Sequence, residues 1–179
     1  MMLFSIIYLL IPAAIANIIP VFVKKINFLN YPVDFGFKIY NKRIFGINKT
    51  WRGLFFGILG SILFVFIQSY LFNFEFFKIL SLVDYSTINI FILGLLLGIS
   101  VLVGDLIGSF IKRQLNFKPG QSFYFLDQLD GAIGLVLFFV PFYFNNFLET
   151  SLWILVVWTF GHFIIKYLGY LFRISDEKI

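Results

Sequence analysis

The chain has 179 residues, of which 60% are hydrophobic and only 13% charged, and its formal net charge is +5. Soluble domains are about one quarter charged, so this composition and the mean hydropathy of +0.94 predict an integral membrane protein. Cysteine is absent, which excludes disulfides, zinc–thiolate sites and thiol catalysis. The length fits a single membrane-embedded domain over residues 1–179.

Membrane-spanning helices are indicated by apolar runs, because a helix needs about 20 residues to cross the hydrocarbon layer. The first run lacks the basic start and the cleavage site of a signal peptide, so we expect it to be retained. A short apolar stretch at 74–82 contains charged residues and is predicted to form an interfacial turn of helix or a re-entrant piece. The predicted fold class is an all-α integral membrane protein with five transmembrane helices, at 2–23, 53–72, 88–108, 129–144 and 152–172.

The distribution of lysine and arginine predicts the orientation of these helices. Basic residues concentrate between the first and second spans, between the third and fourth, and in the tail, which contains Arg173 and Lys178. The other two connections contain only Lys78. Because cytoplasmic loops carry the excess of basic residues, we expect the N-terminus outside the cell membrane. The two polar loops and the C-terminus are then cytoplasmic.

The first polar loop ends in the sequence NKTWRG, where the second span is predicted to begin. A helix start with free backbone N–H groups, together with Lys49 and Arg52, is suited to binding an anion. Asn48 and Thr50 add an amide and a hydroxyl group. The alternative interpretation is that these are ordinary positive-inside residues, with Trp51 as an interfacial anchor.

The second polar loop begins on the third predicted span. Asp105, Ser109 and Lys112 are four and three residues apart, so they share one helix face. Arg113 lies about 100° further round the helix, and Lys118 precedes a Pro-Gly turn. Charged groups at a membrane boundary are costly unless they face water, a metal or a basic partner. This concentration of charges therefore predicts a functional site.

Three aspartates make this site a candidate metal centre. Asp127 and Asp130 share a face at the start of the fourth span, and Asp105 lies at the end of the neighbouring one. Mg²⁺ prefers one or two carboxylates together with phosphate oxygens and water, so we predict that these three residues hold one or two Mg²⁺ ions. The alternative is a structural set of salt bridges, Asp105 with Lys112 and Asp127 with Arg113, that only closes the helix bundle.

These motifs together resemble a known family. A Ser-x-x-Lys-Arg segment, a lysine with a Gly turn and an Asp-x-x-Asp pair follow the order found in CDP-diacylglycerol synthases. The fuller sequence is more similar to their archaeal relatives, the CDP-archaeol synthases, and it lacks the His-Gly-Gly segment of the bacterial type. The resemblance extends over nearly the whole chain. Its matching segments are Pro12-Ala13 with Asn17, Pro32-x-Asp34-x-Gly36, Gly46-x-x-Lys49-Thr50-Trp51-Arg52-Gly53, Gly104-Asp105, Ser109-x-x-Lys112-Arg113, Lys118-Pro119-Gly120 and Asp127-Gln128-Leu129-Asp130.

The resemblance implies a reaction in which CTP and 2,3-di-O-geranylgeranylglyceryl phosphate give a CDP-activated lipid and pyrophosphate. It implies that Asp105, Asp127 and Asp130 are the Mg²⁺ ligands and that, together with Lys112, they form the catalytic set. Basic, hydroxyl and amide side chains then bind the substrates: Asn48, Lys49, Thr50, Arg52, Ser109, Arg113 and Lys118.

The expected partners are CTP, a lipid phosphate and the membrane, but no nucleic acid. The sequence leaves open whether the chain forms a homo-oligomer. Asp34 is expected to support the first polar loop, and Asn17 to pair across helices. The lone His162 is expected to be structural, and Lys166 to reach toward the cytoplasm.

Other functions stay open at this point. A phosphatidate cytidylyltransferase would use the same chemistry on an acyl-ester lipid, because an apolar pocket discriminates weakly between chains. A CTP-dependent prenol or dolichol kinase would transfer the γ-phosphoryl group instead. A small transporter would line a pathway with its charges, whereas these charges cluster at one membrane face. An inactive membrane scaffold would tolerate loss of the aspartates, yet all three are present.

Overall fold

A computed structural model of the chain describes residues 2–118, 121, 123 and 126–171. Within this part of the chain, five helical segments are long and apolar enough to cross a membrane, which confirms the predicted number of spans. A 3-10 turn, Val23–Lys25, extends the first helix. The helices are α1 (Met2–Phe22), α2 (Trp51–Leu71), α3 (Glu75–Leu80), α4 (Ile90–Gln114), α5 (Leu126–Phe138), α6 (Val140–Tyr143) and α7 (Phe147–Leu171).

Local chemistry explains where the site helices begin and end. Thr50 caps α2, because its hydroxyl accepts a 3.3 Å hydrogen bond from the N–H of Gly53. The helix α4 continues beyond the predicted span at 88–108, and its last turn contains Lys112 and Arg113. Positive charges stabilise a helix C-terminus. The charged residues of this stretch therefore lie on one continuous helix.

The helix α4 is the centre of the bundle. It packs against α1, α2 and α5, whereas α7 lies against α5 and α1. On α4, Leu93, Leu97 and Val101 are fully buried. Where α4 meets α5, a Cβ atom added to Gly104 would fall 3.0 Å from the Cα of Gly134. Small residues allow helices to approach this closely, and the approach brings the charged ends of α4 and α5 together.

The first polar loop contains a two-stranded antiparallel hairpin, β1 (Lys38–Ile39) and β2 (Lys42–Arg43). The turn residues Tyr40 and Asn41 have φ angles of 49° and 62°, as in the tight turns that join hairpin strands. The predicted all-α fold class omitted this hairpin, because two-residue strands leave no alternating pattern in the sequence.

Both polar loops lie at the same end of the bundle, as predicted. The Nζ of Lys42 in the first loop donates a 2.6 Å hydrogen bond to the carbonyl of Gln114, where α4 ends. The opposite end contains α3, which confirms the predicted short helix. Near that end, the buried amide of Gln68 donates to the carbonyl of Tyr8 at 2.6 Å and accepts from the hydroxyl of Tyr85 at 2.9 Å.

Candidate active site

The first contact of the site joins Lys49, just before α2, to Asp105 in α4. The Nζ of Lys49 lies 2.6 Å from Oδ1 and 2.5 Å from Oδ2 of Asp105. Backbone hydrogen bonds fix the lysine in place: its carbonyl accepts from the N–H of Val33 at 2.8 Å, and its own N–H donates to the carbonyl of Gly46. The structure thus brings a predicted substrate-binding residue to a predicted metal ligand.

A second ion pair joins α4 to the start of α5. The Nζ of Lys112 lies 2.6 Å from Oδ1 of Asp127, and both side chains are mostly buried. The other carboxylate oxygen of Asp127 accepts from the N–H of Phe123 at 3.0 Å, and the Asp127 N–H donates to the Phe123 carbonyl. These two bonds hold Asp127 to the backbone of Phe123 just before α5. The alternative pairings, Asp105 with Lys112 and Asp127 with Arg113, are wrong, since each aspartate has a different basic partner.

Asp130 is the most buried of the three aspartates, with 7% of its surface exposed. Its Oδ1 accepts a 2.6 Å hydrogen bond from the N–H of Gly131. Its side chain lies against Gly108 of α4, where an added Cβ would fall 2.8 Å from the Cβ of Asp130. Within the described residues it forms no ion pair, although it lies close enough to Asp105 and Lys49 to interact with their charges. A buried carboxylate without a cation is costly, so this position favours a cation ligand.

The prediction that α2 begins with free backbone N–H groups is wrong. The N–H groups of Trp51 and Arg52 donate to the carbonyls of Tyr31 and Leu29, at 3.0 and 2.8 Å. The next N–H donates to the hydroxyl of Thr50. The loop before α2 folds back over the helix start and occupies these donors. Side chains of this segment, and not its backbone, are therefore available to an anion.

Two predicted substrate-binding residues lie apart from the ion pairs. The guanidinium of Arg52 is buried and donates to the carbonyl of Ile26 at 2.5 Å, so it holds the loop against α2. Lys118 is exposed in the second loop, shortly after α4 ends, and its N–H donates to the side chain of Gln121 at 3.1 Å. The contact of either side chain with a substrate stays a prediction.

Two other predicted residues lie on the last turns of α4. Ser109 is buried, with 3% of its surface exposed. Arg113 donates a hydrogen bond to the carbonyl of Phe117. Its guanidinium also lies against Gly46 of the first loop, where an added Cβ would fall 3.2 Å from the Arg113 Nε. Arg113 therefore joins the two polar loops.

A buried aspartate organises the first polar loop. The carboxylate of Asp34 accepts from the N–H groups of Gly36, Phe45 and Gly46 at 3.0 to 3.2 Å. It also pairs with Arg43 at 3.2 Å, and none of its side chain is exposed. Burial raises the pKa of Asp34, but the three backbone hydrogen bonds and the Arg43 charge outweigh burial, and the pKa lies below its ordinary value. These contacts confirm that Asp34 supports the loop.

A cavity of about 210 Å³ opens beside the first ion pair, between α1, α2 and α4. Four predicted site residues line it: Asn48, Lys49 and Thr50 before α2, and Asp105 on α4. Asn17 of α1 lines it as well. The prediction that Asn17 pairs across helices is wrong, since its amide makes no hydrogen bond with any described residue.

The aspartates fit a divalent cation in their chemistry, because hard oxygen donors are the ligands that Mg²⁺ prefers. In the part of the chain that the structure describes, however, no three His, Cys, Asp or Glu side chains lie close enough together to hold a metal. Of the three aspartates, Asp105 and Asp127 are each paired with a lysine, and Asp130 forms no ion pair with a described residue. Asp105 and Asp127 can therefore bind a metal ion only after Lys49 and Lys112 have left them for another anion.

Similar proteins were found by sequence. The chain matches the family model described as CarS-like: CDP-archaeol synthase, over residues 1–178. Three relatives are each named CDP-archaeol synthase. The protein from Methanocaldococcus jannaschii is 39% identical over 137 residues, covering 73% of this chain and 76% of the relative. The protein from Methanococcus maripaludis strain C7 is 34% identical, with 80% and 78% covered. The protein from Methanococcus aeolicus is 32% identical, with 96% and 98% covered.

A solved structure of an intramembrane enzyme for archaeal membrane lipids biosynthesis has a similar fold. The two chains superpose with a TM-score of 0.61, covering 84% of this chain and 88% of the other, at 24% sequence identity. At this identity the similarity concerns the fold, and it supports a multi-pass membrane architecture for this chain.

Proposed function

The chain belongs to the CDP-archaeol synthase family, and we propose that it transfers CMP from CTP to 2,3-di-O-geranylgeranylglyceryl phosphate, giving CDP-archaeol and pyrophosphate. One observation carries this proposal. The Lys49–Asp105 ion pair stands beside an open cavity at the polar end of a membrane-spanning bundle. An ammonium and a carboxylate, which are suited to binding phosphate and a metal ion, thus lie where a lipid headgroup and a soluble nucleotide can meet.

The reaction is a substitution at phosphorus. An oxygen of the lipid phosphate attacks the α-phosphorus of CTP, the bond from that phosphorus to the bridging oxygen of the β-phosphate breaks, and pyrophosphate leaves. The nucleophile is already an anion, so no general base is required. The enzyme accelerates such a reaction mainly by aligning the two phosphates and by balancing their charge.

The lysines of the two ion pairs bind phosphate oxygens. Without substrate, Lys49 and Lys112 are held by Asp105 and Asp127 at 2.5 to 2.6 Å. A phosphate offers each ammonium group a stronger anionic partner, and the exchange frees the two carboxylates. Arg113, next to Lys112 on α4, adds positive charge for the triphosphate.

Mg²⁺ is assigned to the aspartates that this exchange frees. Asp105 and Asp127 become available as the lysines move, and Asp130 forms no ion pair with a described residue. Bound Mg²⁺ would stabilise the negative charge of the phosphate oxygens. In the absence of CTP, two of the three proposed Mg²⁺ ligands are paired with lysines. Because the phosphates of CTP would draw these lysines away, we expect CTP and Mg²⁺ each to increase the affinity for the other.

Neutral polar groups orient the substrates in this proposal. Asn48 and Thr50 line the cavity and offer an amide and a hydroxyl group to phosphate oxygens. Ser109 lies on α4 between Asp105 and Lys112 and offers a second hydroxyl. Lys118 and Arg52 complete the proposed substrate-binding set from the two loops.

The site is proposed to face the cytoplasm, the compartment that supplies CTP. Both loops that form it are rich in lysine and arginine, whereas the two connections at the other end of the bundle contain only Lys78. This asymmetry is the signal that orients membrane proteins.

The proposal is tested with purified protein in detergent, given CTP, Mg²⁺ and one of two lipids. We expect pyrophosphate release and a CDP-lipid product with geranylgeranylglyceryl phosphate, and weaker turnover with phosphatidic acid. Faster turnover with phosphatidic acid would reassign the enzyme to CDP-diacylglycerol synthesis. Absence of product with both lipids, in a folded sample, would contradict the proposal.

A further inference from the structure

One face of α1 forms a wall of the cavity. Asn17, Pro20 and Val21 of α1 and Lys24 of the 3-10 turn line it. Asn17, Val21 and Lys24 are four and three residues apart, a spacing that keeps side chains on one helix face. Lys24 is exposed at the rim. Asn17 lies about 10 Å deeper along the helix axis, at a rise of about 1.5 Å per residue. The cavity therefore offers polar groups at two depths.

The other walls are polar at one end and apolar elsewhere. Lys49 and Asp105 form the polar end, and Leu54 of α2 together with Leu102 and Leu106 of α4 form apolar walls. An amphipathic space of this kind suits a ligand with an anionic head and an apolar tail. The cytosine base and the ribose of a nucleotide carry hydrogen-bonding groups, for which leucine side chains offer no partner.

Asn17 is a polar group that the fold itself does not explain. It lies in a membrane-spanning helix, lines the cavity, and makes no hydrogen bond with a described residue. Asn17 is half-buried at the cavity wall, and a polar side chain in a membrane-spanning helix calls for a polar partner. Its Nδ2 and Oδ1 are free to form hydrogen bonds with a ligand that enters the cavity.

Size and charge narrow the choice of ligand. The cavity holds about 210 Å³, less than the roughly 300 to 1,000 Å³ of sites that enclose a ligand as large as a nucleotide. Lys24 and Lys49 supply two positive charges against one negative charge on Asp105, which leaves the lining with a net positive charge. A phosphate monoester complements this charge, and the glycerol attached to it is small enough to follow.

We propose that this cavity binds the phosphoglycerol head of the lipid substrate. The phosphate lies at Lys24 and Lys49, and the amide of Asn17 donates to the oxygen that links glycerol to a hydrocarbon chain. Asn17 is thus a positioning residue for the lipid, and the triphosphate of CTP is left to Lys112 and Arg113 at the end of α4. The inference rests on the proposed function, because it takes a lipid phosphate as the substrate.

The test separates the Michaelis constants of the two substrates. Asn17→Leu removes the amide but keeps the branched shape of the side chain, and we expect the KM for the lipid phosphate to rise about tenfold, the value of one hydrogen bond. The KM for CTP should stay within about twofold, since a hydrogen bond to CTP is not removed. Gln68→Leu is the control: it removes another side-chain amide of a membrane-spanning helix, one that is buried at the opposite end, so it should lower thermal stability without changing either KM.

A second variant, at the opening of the cavity, keeps the inference testable if Asn17→Leu does not fold. Lys24→Gln alters an exposed side chain, and it should also raise the KM for the lipid alone. A rise in the KM for CTP alone would assign the cavity to the nucleotide and overturn the inference, as would unchanged constants in both variants.

Direct binding distinguishes failure of this inference from failure of the proposed function. Native mass spectrometry would count geranylgeranylglyceryl phosphate bound to wild type and to Asn17→Leu, without CTP. Weaker binding by Asn17→Leu supports the cavity assignment even in a protein that forms no CDP-lipid. Equal binding contradicts the assignment, whatever the activity.

Discussion

Lys49 and Asp105 are 56 residues apart in sequence, and their side chains form a two-oxygen ion pair at 2.5 to 2.6 Å. We expect Asp105→Asn to lower kcat about 100-fold or more, the range found when one group that balances transition-state charge is removed. The lysine would keep its place through its backbone bonds, so the variant should remain folded. Turnover and the thermal unfolding midpoint, measured on the same sample, check both statements.

A charge swap separates a catalytic pair from a structural one. The double variant Lys49→Asp with Asp105→Lys keeps the mutual attraction of the side chains but moves the anion from α4 to the loop before α2. We expect a folded protein without turnover. Restored activity would mean that the pair only joins the loop to α4.

Gly108 sets the distance between α4 and the buried Asp130. A methyl group at Gly108 would fall 2.8 Å from the Cβ of Asp130, so Gly108→Ala must push α5 away or turn the carboxylate. We expect a loss of about 1 to 3 kcal/mol in stability from overpacking and a strong loss of activity. Gly161→Ala is the control, since no atom of a described residue lies within 4 Å of its added Cβ. Full activity of Gly108→Ala would show that the placement of Asp130 is not critical.

Asp34 should make the stability of the first loop depend on pH. Burial raises its pKa, but the backbone hydrogen bonds and Arg43 lower it further, so the folded pKa lies below the unfolded value, which is about 3.9. The stabilisation is therefore fully present above the unfolded pKa and is lost as the pH falls through the folded pKa. We expect the unfolding midpoint of Asp34→Asn to be low at neutral pH and to change less than wild type on acidification.

The size of the Asp34 effect has its own control. Removing a buried carboxylate that serves several donors costs about 3 kcal/mol. Asp84 also has a lowered pKa, because it accepts hydrogen bonds from Ser86, but it lies exposed at the other end of the bundle. Asp84→Asn should leave the midpoint nearly unchanged. Equal changes of the unfolding midpoint in Asp34→Asn and Asp84→Asn would contradict the role of Asp34 in organising the first loop.

The proposed orientation can be tested with single cysteines, because the chain has none of its own. Tyr40→Cys lies at the hairpin turn, where 91% of the side chain is exposed, and Ser86→Cys lies exposed in the connection before α4. In sealed right-side-out vesicles, a membrane-impermeant maleimide should label only Ser86→Cys. The reverse pattern would place the site outside the cytoplasm.

The sequence predicted the number of spans and the gathering of the charged residues at one end of the bundle, because hydropathy and the cost of charge in a membrane act locally. It assigned Asp105, Ser109 and Lys112 to one helix face, and α4 includes all three. It could not predict the basic partners of the aspartates. Helical spacing gives the face on which a side chain lies, whereas the pairing of Lys49 with Asp105 depends on how a distant loop crosses α4.

The loop before α2 was the least predictable part. The carbonyls of Tyr31 and Leu29 accept hydrogen bonds from the first N–H groups of α2. These contacts depend on the path of the loop, which no periodic pattern in the sequence encodes. The same holds for Asn17. A polar residue in a span predicts a partner, but the sequence does not distinguish a neighbouring helix from a bound ligand.

The most direct measurement of the central claim follows the phosphorus atoms of CTP. Purified protein is incubated with geranylgeranylglyceryl phosphate, Mg²⁺ and CTP labelled with ³²P at either the α or the γ position, and the lipid is extracted. CMP transfer predicts label in the lipid only from α-labelled CTP, with the γ label released in pyrophosphate. Label in the lipid only from γ-labelled CTP would show a kinase and contradict the account.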